Sequence, residues 1–166
     1  HSMTDFFLLL MLAGAGDELQ GIKRGITEMA DMIVINKADG SNREKAELAR
    51  SQFASAIHLY PFKESGWNPV VTTCSSIEKT GIPEVWDHIM NFCRNTRDNG
   101  YFNQNRNQQS RFWMFETINE KLKQSFYRDP DIEPMLADME ERVIHAELSP
   151  FEAASRLLEN YFNKIV

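Results

Sequence analysis

The sequence predicts an α/β fold built on a parallel sheet, followed by a helical tail. Three observations carry that prediction. Three short runs of apolar or β-branched residues stand at Asp5–Leu12, Met32–Ile35 and Val70–Thr73. Each run is followed by a segment of helical period, and strand–helix alternation implies parallel strands joined by crossover helices. Beyond Asn95 the β-branched runs stop, and apolar residues recur at helical spacing to the end of the chain.

The first run, with Phe6 to Ala13 as its apolar stretch, is far shorter than the roughly 20 residues that span a bilayer. Asp5 stands where a signal peptide would carry Lys or Arg, so a buried strand is the reading. Ala13-Gly14-Ala15-Gly16 is a loop of small side chains. Asp17 or Glu18 starts a helix to about Ala30, with Leu19, Ile22, Ile26 and Met29 on one face. Met32 to Ile35 is uniformly large and apolar, which suits a strand buried on both faces. Ser41 or Asn42 is placed to cap the next helix, whose apolar face is Ala46, Ala49, Phe53 and Ile57. Tyr60 to Pro69 is an irregular loop. The third strand, Val70–Thr73, leads into Cys74-Ser75-Ser76. Pro83 favours the first turn of a further helix, with Ile82, Val85, Trp86, Ile89 and Cys93 as its stripe.

Asn95 to Ser110 is rich in Asn, Gln and Arg; it reads either as a linker or as the polar start of a long helix. Phe112, Phe115, Ile118 or Asn119, Leu122 and Phe126 mark one tail helix. Ile132, Met135, Leu136, Met139 and Val143 mark a second, after Asp129-Pro130. Ser149-Pro150, with Glu152 in the first turn, starts a third, carrying Phe151, Ala154, Leu157, Leu158 and Tyr161. Such stripes are packing surface rather than a cofactor box.

Composition narrows the functional classes. The chain has 166 residues, 42% hydrophobic and 25% charged, which is ordinary for a globular protein. A net charge of −6 argues against non-specific nucleic-acid binding, which needs a basic face. Cys74 and Cys93 are the only cysteines, so no disulfide framework is available and a reduced cytoplasmic setting is expected. His1, His58, His88 and His145 show no metal-ligand spacing, and no nucleophile–base triad stands out.

The candidate site is Asn36-Lys37-Ala38-Asp39, at the carboxyl end of the second strand. Open α/β sheets bind ligands beyond that end. A guanine edge offers two adjacent donors, the ring N–H and the exocyclic amine. An ionised carboxylate such as Asp39 accepts both, and adenine lacks the pair. The Asn36 amide is suited to bond the base and tie loops together, and the Lys37 stem to cover its face. Four letters alone are equally a polar turn. Weight comes from Ser75 and Ser76, one strand–helix unit later at the same edge. GTPases carry Ser-Ala-Lys or Ser-Ala-Leu there, and a backbone N–H meets the guanine oxygen. Ser76 takes the alanine place, where a small residue lets the backbone approach the base. The 166 residues contain no Gly-x-x-x-x-Gly-Lys-Ser/Thr phosphate cradle. Phosphoryl transfer needs the phosphates and Mg²⁺ to be held, so no catalytic residue is assigned.

The stretch from Asp5 to Asp39, and above all Gly16-Asp17-Glu18-Leu19-Gln20-Gly21-Ile22-Lys23, resembles the MeaB/ArgK family of P-loop GTPases, which includes the methylmalonic aciduria type A protein. The third-strand block, Gly81 to Trp86 and the tail resemble it too. The resemblance implies a partial P-loop GTPase-type sheet with a C-terminal helical dimerisation arm. Residues 1–3 are set aside as a tag remnant. Residues 4–97 would be the C-terminal half of the GTPase domain and 98–166 the arm. It implies a GTP-binding chaperone of an adenosylcobalamin-dependent mutase such as methylmalonyl-CoA mutase, with neither nucleic acid nor membrane as partner. Asn36, Lys37, Asp39, Ser75 and Ser76 would contact guanine in GTP or GDP. Asp17, Glu18 and Lys23 would lie in a switch loop. The family's P-loop and Mg²⁺ ligands are not among these residues. The expectation is therefore a C-terminal fragment, inactive alone, that self-associates through an exposed first strand, the arm, or both. Two other readings stand beside it: a nickel-type metallochaperone GTPase, and a non-enzymatic interaction module.

Overall fold

The computed structural model describes residues 3–13 and 24–164. The chain divides into two compact units, 1–110 and 111–166. The first contains strands β1 (Leu8–Leu12), β2 (Met32–Asn36) and β3 (Val70–Thr73). Its helices are α1 (Arg24–Met29), α2 (Arg43–Ile57) and α3 (Ile82–Asp98), and α4 (Tyr101–Tyr127) begins here. The helices α5 (Ile132–Ile144) and α6 (Pro150–Asn163) belong to the second unit.

The three strands form one parallel sheet in the order β1-β2-β3, with Leu8 opposite Met32 and Met32 opposite Val70. β2 is central, and Met32, Ile33, Val34 and Ile35 are fully buried. Alternation along the strands splits them between two layers. Ile33 and Ile35 pack with Leu9, Met11, Val71 and the α2 face of Ala46, Ala49, Phe53 and Ile57. Met32 and Val34 pack on the other side with Phe6, Leu8, Val70, Cys74 and Val85.

Several sequence expectations shift. β1 begins at Leu8 rather than Asp5, because the Asp31 side chain takes over the ladder there. Phe7 N–H donates to Asp31 Oδ2 at 2.8 Å, and Asp31 N–H donates to Phe7 O at 2.9 Å. Lys63 closes this corner, donating to Met29 O, Ala30 O and Asp31 Oδ1 at 2.9, 2.7 and 2.7 Å. In α1, Ile26 and Met29 are 42% and 43% exposed, whereas Thr27 is buried with its hydroxyl 2.8 Å from that of Tyr60. A short 3₁₀ turn, Gly40–Asn42, precedes α2, and neither Ser41 nor Asn42 caps it by side chain.

The stripe expected for α3 is rotated. Trp86 is 60% exposed, and the buried positions are Phe92 and Thr96. Phe92 receives the edges of Phe6 and Trp67, with ring centroids 4.9 and 5.5 Å away. Thr96 is buried at no polar cost, since its hydroxyl donates to Phe92 O at 2.8 Å. Of the two readings of Asn95 to Ser110, the long helix holds: Gly100, at φ 83°, separates α3 from a 27-residue α4.

In the second unit, Ile132, Met139, Leu148, Ala153, Leu157 and Tyr161 form the core, with Phe126 packed against it. Ser149 caps α6, accepting from Glu152 N–H at 3.1 Å. Phe151 is 86% exposed, and Ala153 rather than Ala154 faces inward. The expected α4 face of Phe112, Phe115, Ile118 and Leu122 is also exposed.

Candidate functional site

Parallel pairing of β2 with β3 puts their carboxyl ends at one sheet edge, with Ile35 opposite Thr73. Beyond the last pair, Cys74 N–H donates to Ile35 O at 2.9 Å, and Ala38 N–H donates to Cys74 O at 3.0 Å. These two bonds stitch the loop after β2 to the loop after β3. Lys37 makes the turn with φ 60°, a left-handed conformation that costs a side chain about 1 kcal/mol. Its carbonyl is held by Asn42 Nδ2 at 2.8 Å, which is where the Asn42 side chain goes instead of capping α2.

Asn36 is the hub. Its Oδ1 accepts from Lys37 N–H at 2.7 Å, Ser76 N–H at 3.3 Å, Ser76 Oγ at 3.1 Å and Cys74 Sγ at 3.5 Å. Backbone N–H groups only donate, so the atom facing them is the amide oxygen. Nδ2 therefore points away from this cluster and donates to no described residue.

Asp39 is braced by Ser75. The Ser75 hydroxyl donates to Asp39 Oδ2 at 2.5 Å and accepts from Glu78 N–H at 3.0 Å. Ser75 is fully buried, and its N–H donates to Thr80 O at 2.9 Å. The turn from Ser75 to Thr80 is closed behind by Gly81, at φ 74°, where a Cβ would lie 2.4 Å from Thr73 O. An exposed pair, Arg43 to Glu78 at 2.8 Å, spans the two loops. Burial pushes the Cys74 thiol up from its ordinary value, which leaves it a packing group rather than a nucleophile.

Asn36, Asp39, Ser75 and Ser76 thus converge. Lys37 sits at the same turn, exposed, and its ammonium makes no hydrogen bond or ion pair among the described residues. Asp17, Glu18 and Lys23 lie outside the described residues. Arg43, Glu78 and Gly81 are not among the site residues expected from sequence; Pro83 as a helix start and the family resemblance of Gly81 to Trp86 mark only the neighbourhood of Gly81. Among the described residues, no group of three His, Cys, Asp or Glu could hold a metal ion. No described helix is long and apolar enough to cross a membrane. Chemically, the edge sets a carboxylate beside a backbone N–H and an amide N–H₂ that has no partner among the described residues. That combination matches a planar ligand with two donors next to acceptors, and guanine is one.

The parallel sheet with its packed helices is a partial α/β fold of the P-loop GTPase class. A crystal structure of a LAO/AO transport system kinase matches it with a TM-score of 0.76 and 35% identity, covering 96% of this chain and 51% of that one. The chain belongs to the family of the methylmalonyl-CoA mutase-associated GTPase MeaB, whose model matches residues 1–131. GTPase ArgK of Escherichia coli is 38% identical over 157 residues, which is 95% of this chain and 47% of that protein. The mouse methylmalonic aciduria type A homolog, mitochondrial, is 37% identical over 96% of this chain and 38% of its own length. A probable GTPase of Mycobacterium tuberculosis is 36% identical over 95% of this chain and 47% of its own. The chain spans about half the length, or less, of the curated relatives it matches.

Proposed function

We propose that this chain is the guanine-recognising and dimerising part of a GTPase that serves as chaperone to an adenosylcobalamin-dependent mutase such as methylmalonyl-CoA mutase. The observation that supports it most is the bracing of Asp39 by buried Ser75 beside the Asn36 amide, whose Nδ2 has no partner among the described residues. With Oδ2 fixed, the Asp39 carboxylate is oriented to accept the paired donors of guanine. Ser76 N–H and Asn36 Nδ2 serve the acceptors on the neighbouring edge, and the Lys37 stem covers the base. Bound GTP would supply the phosphoanhydride whose hydrolysis by water, leaving GDP and phosphate, resets the partner complex, and GDP would occupy the same base site. The chain's own residues name the base and exclude adenine. These 166 residues contain no Gly-x-x-x-x-Gly-Lys-Ser/Thr cradle for the phosphates, so this chain alone should show no turnover. A reduced cytoplasmic location fits the free thiols of Cys74 and Cys93.

A guanosine-versus-adenosine nucleotide titration tests the base site. The expected result is a preference for GDP over ADP that Asp39→Asn abolishes, because the amide can no longer accept both donors. No preference in the native chain would refute the site. Co-purification with an adenosylcobalamin-dependent mutase tests the partner, and the mouse relative's name supports looking there first.

A further inference from the structure

We infer that the Ser76 hydroxyl is a positioning group of the base site, acting through Asn36 so that the two donors of this loop are divided between two acceptors of guanine. The inference rests on the guanine reading above and adds a residue role to it. Ser76 sends two donors to one atom, Asn36 Oδ1: its N–H at a long 3.3 Å and its hydroxyl at 3.1 Å. One of the two is redundant in holding Asn36. The hydroxyl rotates freely to keep its bond, whereas the N–H direction is set by the backbone. That backbone is itself fixed, because neighbouring Ser75 is locked to Thr80 O and Asp39.

The division of labour follows. Guanine offers two acceptors, O6 and N7, next to its donor pair. When the base enters, the Ser76 N–H keeps its direction and exchanges its long 3.3 Å contact with Asn36 for O6. Without the hydroxyl, Asn36 Oδ1 would lose both Ser76 bonds at that moment and keep only Lys37 N–H and the long thiol contact. With it, the amide plane stays fixed and Nδ2, which has no partner among the described residues, stays available to N7. An alanine at this position, as in the Ser-Ala-Leu pattern, has only the N–H and must choose between Asn36 and the base.

The test uses this chain, guanosine nucleotides, and Ser76→Ala and Ser76→Thr. Ser76→Ala should weaken GDP binding by about fivefold, the scale of one net hydrogen bond; Ser76→Thr, whose extra methyl crowds the base, serves the ligand-free comparison. The loss should vanish with 7-deaza-GDP, which has no N7 for Asn36 to reach; a merely structural defect would weaken both ligands alike. In the ligand-free chain, Ser76→Ala should broaden or shift the Asn36 side-chain NH₂ signals in the amide spectrum, and Ser76→Thr should not. Equal or tighter GDP binding by Ser76→Ala, or the same loss with 7-deaza-GDP, overturns the inference. A native chain without GDP-over-ADP preference refutes the base site itself, and the ligand-free spectra then still decide whether the hydroxyl holds Asn36.

Discussion

The buried Ser75 hydroxyl lies 2.5 Å from Asp39 Oδ2, joining residues 36 apart in sequence at the ends of adjacent strands. It is also the acceptor for Glu78 N–H. A hydrogen bond to a charged group contributes about 1.5–3 kcal/mol. Ser75→Ala should therefore cost the first unit about 2 kcal/mol, through the unbraced carboxylate and the orphaned N–H. It should also weaken guanine binding at least tenfold. Urea unfolding and a GDP titration read the two effects separately, and unchanged values for both would mean that the brace is idle.

Gly81 is predicted to be the least replaceable glycine in the sheet-edge loops. Its φ is 74°, and an added Cβ would meet Thr73 O at 2.4 Å, backbone that cannot yield. Gly81→Ala should cost about 3 kcal/mol or more, from left-handed strain plus the clash. Gly40, at φ 49° with nothing within 4 Å, isolates the strain alone. Gly40→Ala should cost only about 1 kcal/mol. Equal midpoints for the two variants in denaturant would contradict the steric account.

How far the sequence revealed these features depended on the range of the interactions. β2 was readable because both its faces are covered, so no alternation interrupts Met32 to Ile35. The α2 face was readable from period alone. The α3 face was not, because Phe6 and Trp67 choose Phe92 as their partner from distant parts of the chain. Periodicity also ranks Thr as polar, and cannot show that Thr96 satisfies its own hydroxyl one turn back. At the site, Asn36, Asp39, Ser75 and Ser76 were legible as residue types in order. Their division into an Asn36–Ser76 pair and an Asp39–Ser75 pair was not, because it depends on the β2–β3 register.

The Asp31–Lys63 pair is mostly shielded, with side chains 10% and 17% exposed, and the two groups lie 2.7 Å apart. Lys63 also spends its remaining donors on two carbonyls. Removing one partner of a buried pair leaves an uncompensated charge. Lys63→Met should destabilise the first unit by about 3 kcal/mol, whereas the double variant with Asp31→Asn should recover part of that loss. A double-mutant cycle by urea unfolding measures the coupling, and strict additivity would show that the pair does not act together.

Asp5 gives the first unit an acid-sensitive tie. The Arg106 guanidinium forks onto its carboxylate at 2.9 and 2.7 Å and holds it below the ordinary carboxylate value. A group whose folded value is depressed stabilises the fold above its unfolded value. That contribution is lost as pH falls through the folded value. Arg106→Gln should therefore lower stability at neutral pH and leave it nearly unchanged once the pH lies below the depressed folded value, where Asp5 is protonated in both states. Unfolding free energies between about pH 2 and 7 would show the two curves converging on the acid side. Parallel curves would remove Asp5 from the account.

Self-association should run through apolar surface that each unit leaves open. β1 is an edge strand of the described sheet, and its sequence Leu-Leu-Leu-Met-Leu carries none of the charges or prolines that usually protect an edge. Leu10 and Leu12 are 58% and 43% exposed. In the second unit, α4 exposes Phe112, Phe115, Ile118 and Leu122 at 46%, 49%, 45% and 59%, a stripe at helical spacing. Either surface is a candidate for covering by a second copy, and the arm is the one the proposed function requires. Phe115→Glu with Leu122→Lys should convert a concentration-dependent dimer to monomer in sedimentation equilibrium. Leu10→Lys alone should suppress only larger species, since it blocks the edge and leaves the helix face intact. A native chain that stays monomeric at high concentration would remove both surfaces as association sites. A dimer that survives the α4 changes but dissolves with Leu10→Lys would move the interface from the arm to the sheet edge.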